Sequence, residues 1–277
     1  MTTTSEHSFG LRQMLNKVPE VTLYFWLIKV LTTAMGEATS DYFVHRVGLK
    51  NTPALAGIAF LTGIVLALSL ALQLSTSRYR AWPYWLAVAM VAVFGTMAAD
   101  AVHVVLGVPY VVSSAVFAVV LATIFWAWHA SERSLSIHSI YTPRREFFYW
   151  AVVMATFALG TAVGDMTAIA FHLGYLASGV LFTVFMAVPA VGYWRFGWNG
   201  VFAFWFAYVL TRPLGASYAD WFAFPRDAGG LGVGHGAVAI ALTLVIVALV
   251  AYVASTRKDV PKVDVVDVPA SPDVDAG

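Results

Sequence analysis

The sequence predicts an all-α integral membrane protein of eight transmembrane helices, built as four parallel helical-hairpin repeats. Three observations carry this prediction. Hydrophobic residues make up 60% of the 277 and charged residues only 11%, with a mean hydropathy of +0.77, too few charges to cover a water-soluble domain of this size. Apolar runs of roughly 20 residues, the length that crosses a hydrocarbon core, recur along the chain, and the short alternating segments of a membrane barrel are missing. Finally, one pattern returns four times at a period of roughly 55 to 65 residues. It consists of an aromatic residue and a Trp, then Gly, then Asp at fixed spacing: Phe25-Trp26, Gly36, Asp41; Tyr84-Trp85, Gly95, Asp100; Tyr149-Trp150, Gly160, Asp165; and Phe204-Trp205, Gly215, Asp220.

Taken in order, residues 1–20 read as a polar cytoplasmic segment. Its Pro19-Glu20 suits a first helical turn, where a missing N–H costs nothing and negative charge is favoured. With seven further apolar runs behind it, the first run is a span and not a cleavable signal. Spans are expected near 21–45, 53–74, 82–105, 110–128, 147–172, 175–194, 199–222 and 235–254. Odd spans carry the motif, while even spans, opening near Pro53, Pro109, Gly174 and His235, are plainer. The chain divides into repeat 1 (21–80), repeat 2 with a cytoplasmic loop (81–146), repeat 3 (147–197), repeat 4 (198–254) and a disordered tail (255–277). Two spans per repeat leave every copy in one orientation, with the symmetry axis along the membrane normal. Arg12, Lys17, Arg78, Arg80, Arg133, Arg144, Arg145, Arg195, Arg257, Lys258 and Lys262 fall on one side, against Arg46, Lys50 and Arg226 on the other. That excess places both termini in the cytoplasm.

Composition also excludes several classes. A net charge of +1 gives no basic field for nucleic acid, and the absence of cysteine removes disulfides and thiolate metal sites. Residues 229–234, Gly-Gly-Leu-Gly-Val-Gly, follow no strand and lack the Lys-Ser/Thr of a phosphate cradle, so they read as a flexible outer loop. No nucleophile motif is present; neither an enzyme nor a bound cofactor is expected.

Within the motif, each residue type has its own physical reading. Trp26, Trp85, Trp150 and Trp205 lie near the cytoplasmic start of the odd spans, where amphipathic rings anchor at the interface. Gly36, Gly95, Gly160 and Gly215 form small-xxx-small pairs with Ser40, Ala99, Gly164 and Ala219, which let helices approach closely. Each Asp stands 15 residues beyond its Trp, about 22 Å of helical rise, in the outer half of a core about 30 Å thick. A carboxylate there is costly unless paired, protonated or hydrated. Asp41, Asp100, Asp165 and Asp220, with Glu37, are therefore candidate ion- or proton-binding residues; helix capping is the alternative role.

Neighbouring residues extend the pattern. Glu37, Thr96, Thr161 and Ala216 stand four residues before each Asp, on the same helical face. Lys29 and Arg212 lie within spans as candidate charge-tuning groups, Lys29 as the expected partner of Glu37. His45, His103 and His172 are candidate extra ligands. Five intramembrane acids against two bases leave an excess of negative charge, which protons, water or a bound cation must relieve. Oxygen and imidazole ligands without sulfur suit Mn²⁺, Mg²⁺, Na⁺ or protons. His103 with His172 is also the pair that a haem between helices would need.

The opening Lys17-Val18-Pro19-Glu20-Val21-Thr22-Leu23-Tyr24-Phe25-Trp26, the Gly36-Glu37-Ala38-Thr39-Ser40-Asp41-Tyr42 after it, and the four Trp-bearing two-span repeats resemble a bacterial membrane-protein family. That family is a tandem repeat of unknown function whose members are called uncharacterised membrane-anchored proteins. The resemblance covers about residues 17–255. It implies the eight-span layout and a bacterial inner membrane, and it supplies no activity or site residues.

The functional expectation is an inner-membrane transport protein, in contact with the lipid bilayer. It would move a small cation (a divalent metal, Na⁺ or H⁺) through a site formed by the four repeat aspartates. A membrane scaffold that binds another protein, and a haem-type redox protein, are the alternatives.

Overall fold

The computed structural model describes residues 16–48, 51–104 and 106–260. The start of the polar segment, the tail beyond Val260, and Arg12, Lys50 and Lys262 of the loop-charge count lie outside the described residues.

Among the described residues there are eight long helices and no strand: α1 (Leu23–Val47), α2 (Thr52–Leu74), α3 (Ala81–Val104), α4 (Tyr110–Glu132), α5 (Pro143–Asp165), α6 (Tyr175–Phe196), α7 (Gly200–Ala223) and α8 (His235–Thr256). Several start at side-chain caps. Thr22 accepts the Phe25 amide, Asn51 that of Ala54, Thr142 that of Arg145, and Asn199 those of Val201 and Phe202, each satisfying an amide that has no partner within its own helix. Pro19 and Glu20 precede α1 and do not form its first turn, because the cap stands at Thr22. Beyond Asp165, α5 continues through a π-helical turn, Met166–Ala170.

The odd helices form an inner ring in which α1 packs on α3, α3 on α5, α5 on α7, and α7 back on α1. Each even helix packs outside, and not mainly on its own repeat. Helix α2 lies on α3, α4 on α5, α6 on α7, and α8 on α1. The expected hairpin is thus offset by one position: a repeat's second helix covers the next repeat's first, and α8 closes the circle.

The motif glycines stand at the ring contacts. A Cβ on Gly36 would lie 2.5 Å from the Cβ of Ala92, and one on Gly95 would lie 3.0 Å from the Cβ of Phe157. On Gly160 it would overlap the Arg212 stem, and on Gly215 it would overlap Thr33. Thr33, Ala92, Phe157 and Arg212 each stand three residues before the glycine of the next helix round. One crossing is therefore repeated four times, each dependent on a missing side chain.

The aromatic ends of these helices close in the same cyclic way. Phe25 meets Trp85 at 5.8 Å between centroids, Tyr84 meets Trp150 at 5.7 Å, Tyr149 meets Trp205 at 6.1 Å, and Phe204 meets Trp26 at 5.6 Å. Trp85, Trp150 and Trp205 are buried. They do not act as interface anchors, because the ring contact takes the faces that lipid would have met; Trp26 alone is partly exposed.

Below this aromatic layer, residues 16–22 cross the end of the bundle as a strap. The backbone of Lys17 and Asn16 bonds to Ile140 and Tyr79, and the Glu20 amide bonds to the Asp259 carbonyl. The Lys17 ammonium is paired with buried Glu146 at 2.6 Å. Tyr79 donates to the Asp259 carboxylate at 2.5 Å, and burial holds that carboxyl above its ordinary pKa. Residues 255–260 are therefore part of the folded body, and do not begin the disordered tail.

Among the described residues, six helices are long and apolar enough to cross a membrane: α2, α3, α4, α5, α6 and α8. The outer helices turn residues such as Phe60, Leu68, Val119, Trp126, Val184, Trp194, Ile240 and Leu244 outward, an apolar belt far larger than a water-soluble surface carries. The other two, α1 and α7, belong to the inner ring, where Lys29, Glu37, Arg212 and Asp220 are buried by protein.

Adding one methyl at a ring crossing should destabilise the fold, and adding it outside should not. Gly215→Ala is expected to cost about 1–3 kcal/mol through overpacking. Gly57→Ala, at a helical site with nothing within 4 Å, is expected to be neutral or to gain about 0.5–1 kcal/mol. Unfolding of the detergent-solubilised variants checks both signs.

Candidate functional site

The ring crossings set which residues reach the axis. One position beyond each glycine stand Glu37, Thr96, Thr161 and Ala216. Into this layer comes Arg212 from α7, through the space that Gly160 leaves open. Its Nη2 donates to Glu37 Oε2 at 2.5 Å, to Thr161 Oγ1 at 2.7 Å and to Thr96 Oγ1. Its Nη1 reaches the Thr33 carbonyl at 3.5 Å. All four helices of the ring thus meet at one guanidinium, and both Arg212 and Glu37 are buried.

Lys29 is not the partner of Glu37. Its ammonium lies 4.1 Å from the Phe157 ring centroid and 4.3 Å from that of Tyr208, with no hydrogen bond among the described residues. The i, i+4, i+8 stripe of α1 puts Lys29 two turns below Glu37, while Arg212 enters from the neighbouring helix at the right height. The Phe157 ring contacts both cations, with the Arg212 guanidinium 5.5 Å from its centroid. Beneath this layer, Tyr84 and Tyr149 share a hydroxyl contact at 2.5 Å.

Above Arg212 the carboxylates gather. Glu37, Asp165 and Asp220, from α1, α5 and α7, each offer an oxygen within 4.8 Å of the others. Asp220 is buried, and its Oδ1 has no hydrogen-bond partner among the described residues. Asp100 accepts a bond from Ser40 at 3.1 Å, across the α1–α3 crossing. The aspartates stand within the last two turns of their helices. None of these contacts is a helix cap.

Asp41 is engaged differently. Its Oδ2 lies 3.3 Å from His235 Nε2 on α8. His45 stacks on His235 at 4.6 Å between centroids, so His45 joins Asp41. The other two histidines do not reach an aspartate. Both ring nitrogens of His103 are used locally, at 2.9 Å from the Val108 carbonyl and 3.2 Å from the Ser113 hydroxyl. His172 sits exposed in a left-handed turn, φ 55°. His103 thus has no free ring nitrogen for a haem in this arrangement.

Sequence reasoning missed His235, which it treated only as the start of a span. The glycine loop before it is not a free loop. The amides of Leu231, Gly232, Val233 and Gly234 bond in turn to the carbonyls of Trp221, Phe224, Phe222 and Ala223, with Gly234 at φ 88° where a side chain would be strained. Those bonds fix where α8 begins, and so where His235 stands. The signal was a histidine directly after a glycine run that must turn tightly.

Chemically, Glu37, Asp100, Asp165 and Asp220 face one guanidinium at this level. Low surrounding polarity makes such an excess of negative charge costly unless protons or a cation compensate it. Replacing Arg212 alone tests the internal pairing. Arg212→Met is expected to cost about 3–5 kcal/mol by leaving Glu37 buried and unpaired, and Glu37→Met together with Arg212→Met is expected to recover most of it. Denaturation of the solubilised variants measures both.

A protein family described as Repeat of Unknown Function (DUF347) matches residues 24–79, 83–134, 148–197 and 203–259. No curated protein and no solved structure matches the chain.

Proposed function

The chain belongs to the DUF347 repeat family, and we propose that it is an eight-span inner-membrane protein that binds and moves a small cation. One observation carries this reading: the carboxylates of Glu37, Asp165 and Asp220 converge from three helices within 4.8 Å, with a single guanidinium to balance them. Buried acids in such numbers are expensive, and an ion or proton that moves between them offsets the cost.

Helices α1 and α7 complete the eight spans in this reading, because the outer helices shield their charges from lipid. The strap end carries Lys17 and Arg145, with Arg78, Arg80 and Arg257 beside it, and so faces the cytoplasm. A cation that enters from the aspartate end then meets closed layers: first Arg212 with Glu37, next Phe157 and Lys29, and last the aromatic ring of Phe25, Tyr84, Tyr149 and Phe204. Passage requires the inner helices to part at the aromatic end. That favours a carrier, which alternates access to one site, over an open pore.

The test is ion flux in proteoliposomes with H⁺, Na⁺, Mg²⁺ and Mn²⁺ supplied separately. Wild type is expected to carry at least one of them. Asp220→Asn should lower that flux at least about 10-fold, since even the loss of a residue that only orients a ligand costs about 10- to 100-fold, while its unfolding midpoint stays near wild type. No flux of any of the four ions, or full flux in Asp220→Asn, would contradict the proposal and favour a scaffold held by internal acid bonds.

A further inference from the structure

Asp41, His45 and His235 form a group separate from the three converging acids, and they have a different chemistry: one carboxylate with two imidazoles. We propose that this group is a binding site for a first-row divalent metal of borderline softness, of which Zn²⁺ is the type. The inference stands on other residues than the transport reading and does not depend on it.

Geometry is the first argument. One ligand atom from each residue lies within 4.8 Å of the other two. The His235 Nε2 to Asp41 Oδ2 separation is 3.3 Å. Tetrahedral zinc with bonds of about 2.0–2.2 Å has ligand atoms about 3.3–3.6 Å apart, so this pair already spans one edge of such a site. A carboxylate with two imidazoles is also a ligand set that zinc and its neighbours accept, and three protein ligands leave a fourth position open.

Unsatisfied polarity is the second argument. Among the described residues, the buried His235 Nε2 has no hydrogen-bond partner; its contact with Asp41 is an approach without hydrogen-bond geometry. A buried ring nitrogen that makes no hydrogen bond and stands 3.3 Å from a carboxylate oxygen keeps its lone pair available to a metal.

Support around the ligands is the third. His45 Nδ1 lies 2.8 Å from the carbonyl oxygen of Asp41. Donation there fixes the tautomer and leaves Nε2 as the free lone pair, the usual arrangement behind a metal-bound histidine. Phe224 meets both imidazoles edge-on, at 5.7 Å and 4.8 Å. Tyr175 stacks on the other side of Phe224 at 4.8 Å. Gly236 lets Tyr42 press against the start of α8, where a Cβ would come within 3.0 Å of that ring. The bonded glycine loop holds His235 in this place.

The experiment uses the full chain in detergent, any affinity tag removed, titrated with Zn²⁺ by calorimetry and with Co²⁺ as an absorption reporter. Wild type is expected to bind one Zn²⁺ per chain that is weakened about 10- to 100-fold in His235→Gln and in His45→Gln. Co²⁺ bound there should show the visible bands of low-coordinate, histidine-ligated cobalt. Gly57→Ala, outside both groups of ligands, should keep the Zn²⁺ affinity of wild type. His45 is exposed, so His45→Gln carries the test even where His235→Gln fails to fold. No Zn²⁺ binding by wild type, or equal affinity in wild type and His45→Gln, would overturn the proposal and leave an Asp–His ion pair only. Loss of Zn²⁺ binding in the histidine variants with unaltered flux in Asp220→Asn would uphold this site while the transport reading fails.

Discussion

Everything in this fold depends on the close approach of neighbouring inner helices at four glycines. Gly36, Gly95, Gly160 and Gly215 each press on the residue three before the next glycine in the ring. In a lipid environment apolar burial gives helices little reason to associate, so backbone proximity and van der Waals packing decide the arrangement. Once the crossings are fixed, so is the register. The residue after each glycine reaches the axis, the aspartates gather above, and the paired aromatics close the opposite end.

The ring is four-fold in backbone and not in chemistry. The axial layer holds Glu37, Thr96, Thr161 and Ala216. Four identical charged residues there would repel one another across a few ångströms of low-dielectric space. Instead one acid and one base are supplied from different repeats, with two threonine hydroxyls as further acceptors for the guanidinium. Arg212 is suited to this role because its planar fork donates several bonds at once and keeps its charge when buried. Lys29, sandwiched between Phe157 and Tyr208, is the second broken position, where aromatic faces replace a counter-ion.

Much of this was legible in the sequence, and the failures have physical causes. The repeat and its spacing are periodic, so they give each glycine and each aspartate the same relative position on every odd helix without any structure. The offset packing was not legible: α2 is uniformly apolar, and nothing in such a helix says whether it lies on α1 or α3. The Trp residues misled for a related reason. An aromatic near a span end reads alike whether it meets lipid or a neighbouring ring, and Trp85, Trp150 and Trp205 meet rings. Spacing within one helix pointed to Lys29 for Glu37, whereas the partner came from another helix, which intrahelical arithmetic cannot see. His235 was missed because its neighbours in space, Asp41 and His45, are nearly two hundred residues away in sequence.

The central claim is that Glu37, Asp165 and Asp220 hold a cation between them. Anomalous diffraction from crystals soaked in Mn²⁺, and separately in Rb⁺, tests it directly. The account predicts a peak for at least one of these ions bounded by the three carboxylates and above Arg212. Well-diffracting crystals with no peak there for either ion, and the acids bonded to each other through protons, would contradict it.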